Sequence, residues 1–134
     1  MVYKSVTLTA LALLITPALG QITTTCFANP GNATEGSCAS FITTFCTSIA
    51  SQVVAPGDTA ARCFMTPTAN LKCDFTAVNL ATTSSSVSVP VCEEVLTSVN
   101  TQCPLLGGFG RATGGAFRFI GDPNTGVCGP VCGN

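Results

Sequence analysis

Histidine and tryptophan are absent from this chain of 134 residues, and its one tyrosine is Tyr3. Because histidine is the most frequent general base of enzymes, its absence excludes Ser-His-Asp and Cys-His catalytic arrangements. Charged residues make up only 8% of the chain, and no motif joins two carboxylates into a catalytic pair. The stretch Gly107–Gly115 is rich in glycine but lacks the Lys-Ser/Thr ending of a phosphate-binding loop. We therefore expect no enzymatic activity and no cofactor.

Basic residues and long apolar runs are also scarce. Lysine and arginine together number 5, and they are not clustered. Since nucleic acids are bound largely by clustered Lys and Arg, we expect no nucleic-acid partner. The longest apolar run, Val6–Ile15, is well short of the roughly 20 residues that a membrane-spanning helix needs. We expect no membrane insertion.

The N-terminus has the features of a secretory signal peptide. Lys4 lies in a short polar region before the apolar run, and the small residues Ala18 and Gly20 precede the expected cleavage point at −3 and −1. We predict that residues 1–20 are removed on export. Residues 21–134 are then a secreted, extracellular protein, of a length suited to one domain with one modest core.

Cysteine, in contrast, is abundant, with nine residues. In an oxidising compartment this density indicates disulfides, which compensate for a small core. The sequence does not determine their pairing, because eight cysteines can pair in roughly a hundred ways. The odd number leaves one cysteine free or bridging two chains, and Cys128 and Cys132 near the C-terminus are the candidates. Without histidine or a CxxC pair, we expect no metal site.

Two stretches have the apolar period of an amphipathic helix, Cys38–Val53 and Pro90–Cys103. Pro56-Gly57 stops the chain beyond the first, and proline opens the second in its first turn, where it costs no hydrogen bond. The apolar stripes are Phe41, Ile42, Phe45, Cys46, Ile49 and Val53 in the first, and Cys92, Val95, Leu96, Val99 and Cys103 in the second.

The alternation of apolar and polar residues predicts a β-hairpin with arms Arg62–Thr66 and Leu71–Val78, joined by the turn Pro67–Asn70. In the second arm, Lys72 and Asp74 share the face opposite the apolar residues. Further short strands are predicted at Ile22–Phe27, Phe109–Ala112 and Ala116–Ile120.

Two segments are predicted to be irregular: Ala81–Ser88 as a low-complexity surface linker and Asp122–Gly126 as a turn. The whole predicts an α+β fold, a single small disulfide-rich domain with two helices packed on a small antiparallel sheet in α-β-β-α-β order.

The C-terminal third has the components of a site for a neutral polar ligand such as a sugar. Glycines expose backbone amides, charged and amide side chains offer paired hydrogen bonds, and Phe109 or Phe119 offers a surface for C–H groups. The alternative is that the phenylalanines are core, the glycines mark turns and the charges are solvated, and the sequence leaves both open. The candidate site residues are Lys72, Asp74, Arg111, Arg118, Phe119, Asp122 and Asn124.

Asn32 begins an Asn-Ala-Thr triplet among turn-forming residues. In a secreted chain this triplet is an acceptor for N-glycosylation. An unmodified polar loop explains it equally well.

The order of the cysteine-bearing blocks resembles a known family. The blocks are CASFITTFC, ARCF, LKCDFTAVN and CEEVLTSVNTQCP, followed by GGFGRATGGAFRF and DPNTGVCG. They are similar, over essentially all of residues 21–134, to the small secreted mushroom glycan-binding proteins of the ink-cap "Y-three" lectin type. The resemblance implies an α-β-β-α-β sandwich that binds GalNAc/GlcNAc-type glycans such as LacdiNAc, on free glycans or glycoproteins. It also implies homodimerisation through a sheet and a defensive or cytotoxic role.

The resemblance bears on the cysteines as well. Cys132 has no place in the family's order of cysteines, and the resemblance therefore implies that it is the ninth cysteine, outside the four disulfides. The cysteines that match it, and that we expect in disulfides, are Cys26, Cys38, Cys46, Cys63, Cys73, Cys92, Cys103 and Cys128.

Two other function classes compete with a lectin. A secreted effector or protease inhibitor would bind a protein partner through a loop held by disulfides, and Pro67–Asn70 and Asp122–Gly126 are the candidate loops. A surface-active coat protein of the hydrophobin kind is opposed by the two helices and by the absence of adjacent cysteine pairs.

Overall fold

The computed structural model describes residues 20–28 and 38–129. Residues 1–19, Asn32 and Cys132 lie outside the described residues, so the signal peptide, the glycosylation site and the odd cysteine stay predictions. The elements in chain order are β1 (Ile22–Cys26), a short 3-10 helix (Ala39–Phe41), α1 (Ile42–Ile49), β2 (Thr59–Met65), β3 (Leu71–Asn79), α2 (Val89–Gln102), β4 (Gly108–Ala112) and β5 (Phe117–Thr125).

The strands form one antiparallel sheet in the order β1-β4-β5-β3-β2. Both helices lie on the same face of it. Phe45 of α1 stacks on Phe75 of β3 with ring centroids 5.3 Å apart, and Leu96 of α2 lies beside Gly121 of β5. The core therefore lies between the helices and this face, and no described helix or strand covers the other face.

The predicted α+β class, with two helices on a small antiparallel sheet, is confirmed, but the predicted α-β-β-α-β order is wrong. The structure begins with β1, which pairs with β4 at the edge of the sheet, and ends with two strands, β4 and β5. The strands predicted at Ile22–Phe27 and Phe109–Ala112 are present as β1 and β4, and the predicted order omitted them. The place of β4 in the sheet comes from its pairing with both β1 and β5.

The predicted turn at Asp122–Gly126 is also wrong, because β5 continues to Thr125. Asp122 and Pro123 face Asp74 and Cys73 of β3. On its other side β5 is paired with β4 only as far as Gly121. Proline is tolerated where a strand has an unpaired edge, since it cannot donate a ladder hydrogen bond. The turn-forming composition is thus outweighed by pairing with β3.

The segment Ala81–Ser88 is attached to the core rather than being a simple surface linker. Val87 is 5% exposed, and Ser85 forms a backbone bridge with Val54. The buried Asn79 side chain donates hydrogen bonds to the carbonyls of Val54 and Thr83, at 2.8 and 2.9 Å. One buried amide therefore satisfies backbone groups of two segments, which composition alone does not reveal.

The helices occur where predicted but with different ends. α1 proper is only 8 residues long, preceded by the 3-10 turn and ended at Ile49. Val53, predicted on the buried stripe, is 73% exposed because it lies beyond this end. α2 spans Val89–Gln102, with Pro90 in its first turn as predicted.

Four disulfides hold these elements together. They are Cys26–Cys103, Cys38–Cys73, Cys46–Cys92 and Cys63–Cys128. The first joins β1 to the end of α2, the second joins the start of the helical segment to β3, and the third joins the two helices. The fourth attaches the segment after β5 to β2. The eight cysteines expected in disulfides are the ones that form them.

Two glycines of β4 allow α2 to lie close to the sheet. A Cβ atom at Gly110 would lie 2.8 Å from Cγ1 of Val95 and 3.2 Å from Cγ2 of Val99. Gly108 and Gly110 are buried, so they do not expose amides to a ligand as the sequence suggested. Their role is to keep this face of β4 flat under α2.

We expect Gly110→Ala to lower the free energy of unfolding by about 1–3 kcal/mol, because the added methyl overpacks the α2–β4 contact. Urea denaturation of the purified protein measures this. Gly129→Ala is the control, since a Cβ there meets nothing within 4 Å, and we expect a change within about 0.5 kcal/mol. A Gly110→Ala protein as stable as the control would contradict the close helix–sheet contact.

Candidate functional site

The sheet face opposite the helices carries most of the polar residues that the sequence singled out. Because side chains alternate along a strand, the register decides which residues share this face. We call it the uncovered face. Its residues on β3, β4 and β5 are Lys72, Asp74, Thr76, Val78, Phe109, Arg111, Arg118, Ile120, Asp122 and Asn124.

Of the predicted site residues, Lys72, Asp74, Arg111, Arg118, Asp122 and Asn124 therefore lie on one face. Whether they bind a ligand stays a prediction. They come from three strands that are distant in sequence and adjacent in the sheet.

Phe119 is the exception, and its prediction as a ligand-binding residue is wrong. Its side chain points to the helix face, where it faces Gly110 and Ala77 and is 1% exposed. Phe109 is the aromatic residue of the uncovered face and is half-buried there. The sequence left both phenylalanines as candidates for the apolar surface of the site. The sheet face on which each side chain lies decides in favour of Phe109.

At one end of the uncovered face, Asp74 organises the polar side chains. Its Oδ2 atom accepts a hydrogen bond from Nδ2 of Asn124 at 3.1 Å and forms an ion pair with Nζ of Lys72 at 2.7 Å. Asp122 lies directly across from Asp74 in the β3–β5 register. We call these four residues the carboxylate end.

Asp122 differs from Asp74 in having no internal partner. Within the described residues it makes no side-chain hydrogen bond and no ion pair, and it is half-buried. A carboxylate without such partners can accept hydrogen bonds from solvent or from a ligand. The neighbouring Lys72 and Asn124 are held in place by Asp74, so donors and an acceptor are positioned together.

Beside the carboxylate end lies a cleft of about 450 Å³. Asp74 and Thr76 of β3, Ala61 and Cys63 of β2, and Cys128 contribute to its lining. The Cys63–Cys128 disulfide holds the C-terminal segment against β2, and the Cys128 amide lies 3.2 Å from Sδ of Met65. The segment after β5 thus forms one wall of the cleft.

Sequence reasoning missed this cleft for a definite reason. The alternation of β3 already placed Thr76 beside Lys72 and Asp74, so Thr76 could have been found. Ala61 and Cys128 could not, because their position depends on the pairing of β2 with β3 and on the disulfide.

The other end of the uncovered face carries two arginines, Arg111 and Arg118, which we call the arginine end. The guanidinium carbon of Arg118 lies 5.4 Å from the centroid of the Phe109 ring, a cation–π contact. Nε of Arg111 donates a hydrogen bond to the carbonyl of Gly115 at 2.8 Å. Both guanidinium groups are thereby oriented by neutral partners.

Of the two loops considered for a protein partner, one is not a loop. Asp122–Thr125 belongs to β5, whereas Pro67–Asn70 is a turn whose four residues are all exposed. Oγ1 of Thr66 donates to the carbonyl of Leu71 at 3.0 Å and accepts from the amide of Thr68 at 3.2 Å. These hydrogen bonds of Thr66 hold the turn in place.

In the part of the chain that the structure describes, no three His, Cys, Asp or Glu side chains lie together in a way that could hold a metal ion. Among the same residues, none of the helices combines the length and the apolar character needed to cross a membrane.

Comparison with known proteins adds a family. The glycan binding domain Y3 family matches residues 37–128, a range that includes both helices and strands β2 to β5. The antiviral protein CAP of Coprinus comatus is 34% identical over 100 residues, which are 72% of this chain and 96% of that protein. The matched range contains every residue of the carboxylate end and both arginines, Arg111 and Arg118.

Proposed function

This chain belongs to the glycan binding domain Y3 family, and we propose that it is a lectin that binds glycans on the uncovered face of its sheet. The observation that carries this proposal is the carboxylate end. There the half-buried Asp122 has no internal partner and lies beside the Lys72–Asp74–Asn124 network. The family describes binding rather than catalysis, which agrees with the absence of histidine.

The carboxylate end suits a sugar because a sugar presents several hydroxyls that both donate and accept hydrogen bonds. Asp122 would accept from a pair of hydroxyls, and Lys72 and Asn124 would donate to sugar oxygens. All three side chains project from paired β-strands. Binding on such elements needs little ordering of the protein, which favours affinity.

We further propose that the preferred sugars are of the GalNAc/GlcNAc type, as in LacdiNAc. The cleft beside Asp74 supports this proposal, because an acetamido group has an apolar methyl and two polar atoms. Ala61 and the Cys63–Cys128 disulfide offer an apolar surface in the cleft, and Thr76 offers a hydroxyl. The acetamido group would occupy this cleft while the ring hydroxyls contact Asp122.

Secretion and a defensive or cytotoxic role complete the proposal. Four disulfides are typical of proteins that reside in an oxidising compartment. The similar protein of Coprinus comatus is called an antiviral protein, which supports a role in defence.

We also propose a homodimer formed through a sheet edge, since β1 and β2, the two edge strands among the described residues, each have an unpaired side.

Asp122→Asn tests the site. We expect it to weaken LacdiNAc binding about tenfold or more without lowering Tm, because hydrogen bonds to a charged group are lost. Isothermal titration calorimetry measures the affinity. Asp58→Asn is the matched control: Asp58 is an exposed carboxylate next to β2, and we expect it to leave binding unchanged.

An Asp122→Asn protein that binds LacdiNAc like the unchanged chain would place the site elsewhere. A glycan array without any hit at high protein concentration would contradict the lectin itself.

Binding of a protein partner is the second candidate function. It is favoured by the turn Pro67–Asn70, which is fully exposed and is held in place by the hydrogen bonds of Thr66. A secreted effector or protease inhibitor would present this turn to its target. It would form a complex that survives enzymatic deglycosylation of the partner, whereas a lectin complex would be lost. Pull-down with glycosylated and deglycosylated partner separates the two.

A further inference from the structure

Arg111 and Arg118 lie on neighbouring strands of the uncovered face. The β4–β5 register pairs Phe109 with Ile120 and Gly110 with Phe119, and Arg111 and Arg118 are the residues just beyond the last of these pairs on each strand. Both side chains are half-buried. Like charges close together on neighbouring strands repel each other, so this arrangement is unfavourable in the free protein.

Among the described residues, no carboxylate forms an ion pair with either arginine. The ion pair found there is Lys72–Asp74, at the other end of the face. Asp122 lies four residues from Arg118 on β5, which is about 13 Å along an extended strand. The two arginines therefore carry a positive charge that the described chain leaves without a counter-charge.

The Nε donor of Arg118 is also unused. Within the described residues this buried atom has no hydrogen-bond partner, and the contact of the guanidinium is with the Phe109 ring. A buried donor without an acceptor is costly. Because Nε is buried, the two Nη groups of the planar guanidinium, which is held against the ring, are the donors suited to paired hydrogen bonds with an oxyanion.

We propose that the arginine end binds an anionic substituent of the glycan, either a sulfate ester or the carboxylate of an acidic sugar. This inference rests on the proposed function, because it concerns the same face and the same ligand. The separation from Asp122 is wider than one sugar ring. The anionic group therefore belongs to a sugar next to the neutral one at the carboxylate end.

The preference for an anionic glycan comes from the two arginines of the arginine end and not from the net charge of the whole chain. The formal net charge is −1, so the protein has no general attraction for polyanions. Only a glycan that places its anionic group over the arginine end while its neutral sugar contacts the carboxylate end gains from both. The ligand class is thus an acidic glycan of defined length.

The experiment compares three ligands by calorimetry: LacdiNAc, its sulfated form and its sialylated form, at low and at high salt. For the unchanged protein at low salt, we expect at least one anionic form to bind about tenfold more tightly than LacdiNAc. This advantage should shrink at high salt, while the affinity for LacdiNAc stays constant. The anionic form that shows the advantage identifies the source of the charge.

Arg118→Gln is expected to remove the advantage of the anionic form over LacdiNAc, which is measured as the ratio of the two affinities for the same variant. Thr97→Glu is the matched control, because it makes the same change in net charge on an exposed position of α2, away from the uncovered face. It should keep the advantage. Arg111→Gln is the second variant if Arg118→Gln lowers Tm.

The outcomes are distinct. If the unchanged protein binds no glycan, the proposed function fails. If it binds LacdiNAc but binds both anionic forms no better, or if both arginine variants keep the advantage, this inference is overturned and the lectin stands.

Discussion

Phe119→Ala is expected to lower the free energy of unfolding by about 3–5 kcal/mol, the usual cost of truncating a fully buried phenylalanine. Phe119 is 1% exposed and its ring stacks with that of Phe117, with centroids 6.0 Å apart. It lies on the central strand β5 and faces Ala77 and Gly110. These neighbours have small or no side chains, so they cannot fill the space that the ring leaves. Urea denaturation followed by circular dichroism measures the loss.

Phe109→Ala is the matched control. Phe109 lies on the uncovered face, half-buried beneath the guanidinium of Arg118. We expect its removal to cost about 1 kcal/mol, the size of a partly exposed cation–π contact, and to weaken binding of the anionic glycan, because Arg118 loses the ring that holds it. Equal destabilisation by the two changes would contradict the assignment of the faces.

Removal of the Cys46–Cys92 disulfide by the double change Cys46→Ala and Cys92→Ala is expected to cost about 4 kcal/mol. The bridge spans a sequence separation of 46 and joins α1 to α2, and both cysteines are 0% exposed. Cutting it enlarges the conformational freedom of the unfolded chain and removes the covalent link between the helices. Because α1 is only 8 residues long, it is not stable by itself and depends on this bridge together with its packing in the core.

Thermal unfolding and urea denaturation of the double variant measure this loss. Thr44→Ala, an exposed position of α1, is the control and should change stability by less than about 0.5 kcal/mol. A double variant within 1 kcal/mol of the unchanged protein, by the same urea measurement, would show that packing alone holds the two helices together.

The candidate site was predictable in part, and the reason lies in the strands that carry it. β3 alternates strictly between buried and half-buried residues along its whole length, so Lys72 and Asp74 could be placed on one face from the sequence. β4 and β5 contain glycines at Gly108, Gly110 and Gly121, which have no side chain to mark a face. The choice between Phe109 and Phe119 was therefore open until α2 was seen to lie over these glycines.

The same kind of ambiguity explains the errors in the fold. Asp122–Gly126 has the composition of a turn, yet pairing with β3 draws its first four residues into β5. Ala81–Ser88 has the composition of a linker, yet the buried amide of Asn79 and the side chain of Val87 attach it to the core. In both cases local propensity is weaker than contacts made by residues distant in sequence.

By itself, the sequence determined the chemical class of this protein: no histidine for catalysis, no basic cluster for nucleic acid, many cysteines for disulfides, and helix and strand periods that specify helices on an antiparallel sheet. These properties depend on composition and on neighbours along the chain. Only the tertiary structure decided the pairing of the cysteines, the cleft closed by Cys63–Cys128, the pairing of Asp74 with Asp122, and the position of Arg111 and Arg118 on the same face. These depend on strand register and helix packing, which bring together residues that the sequence keeps apart.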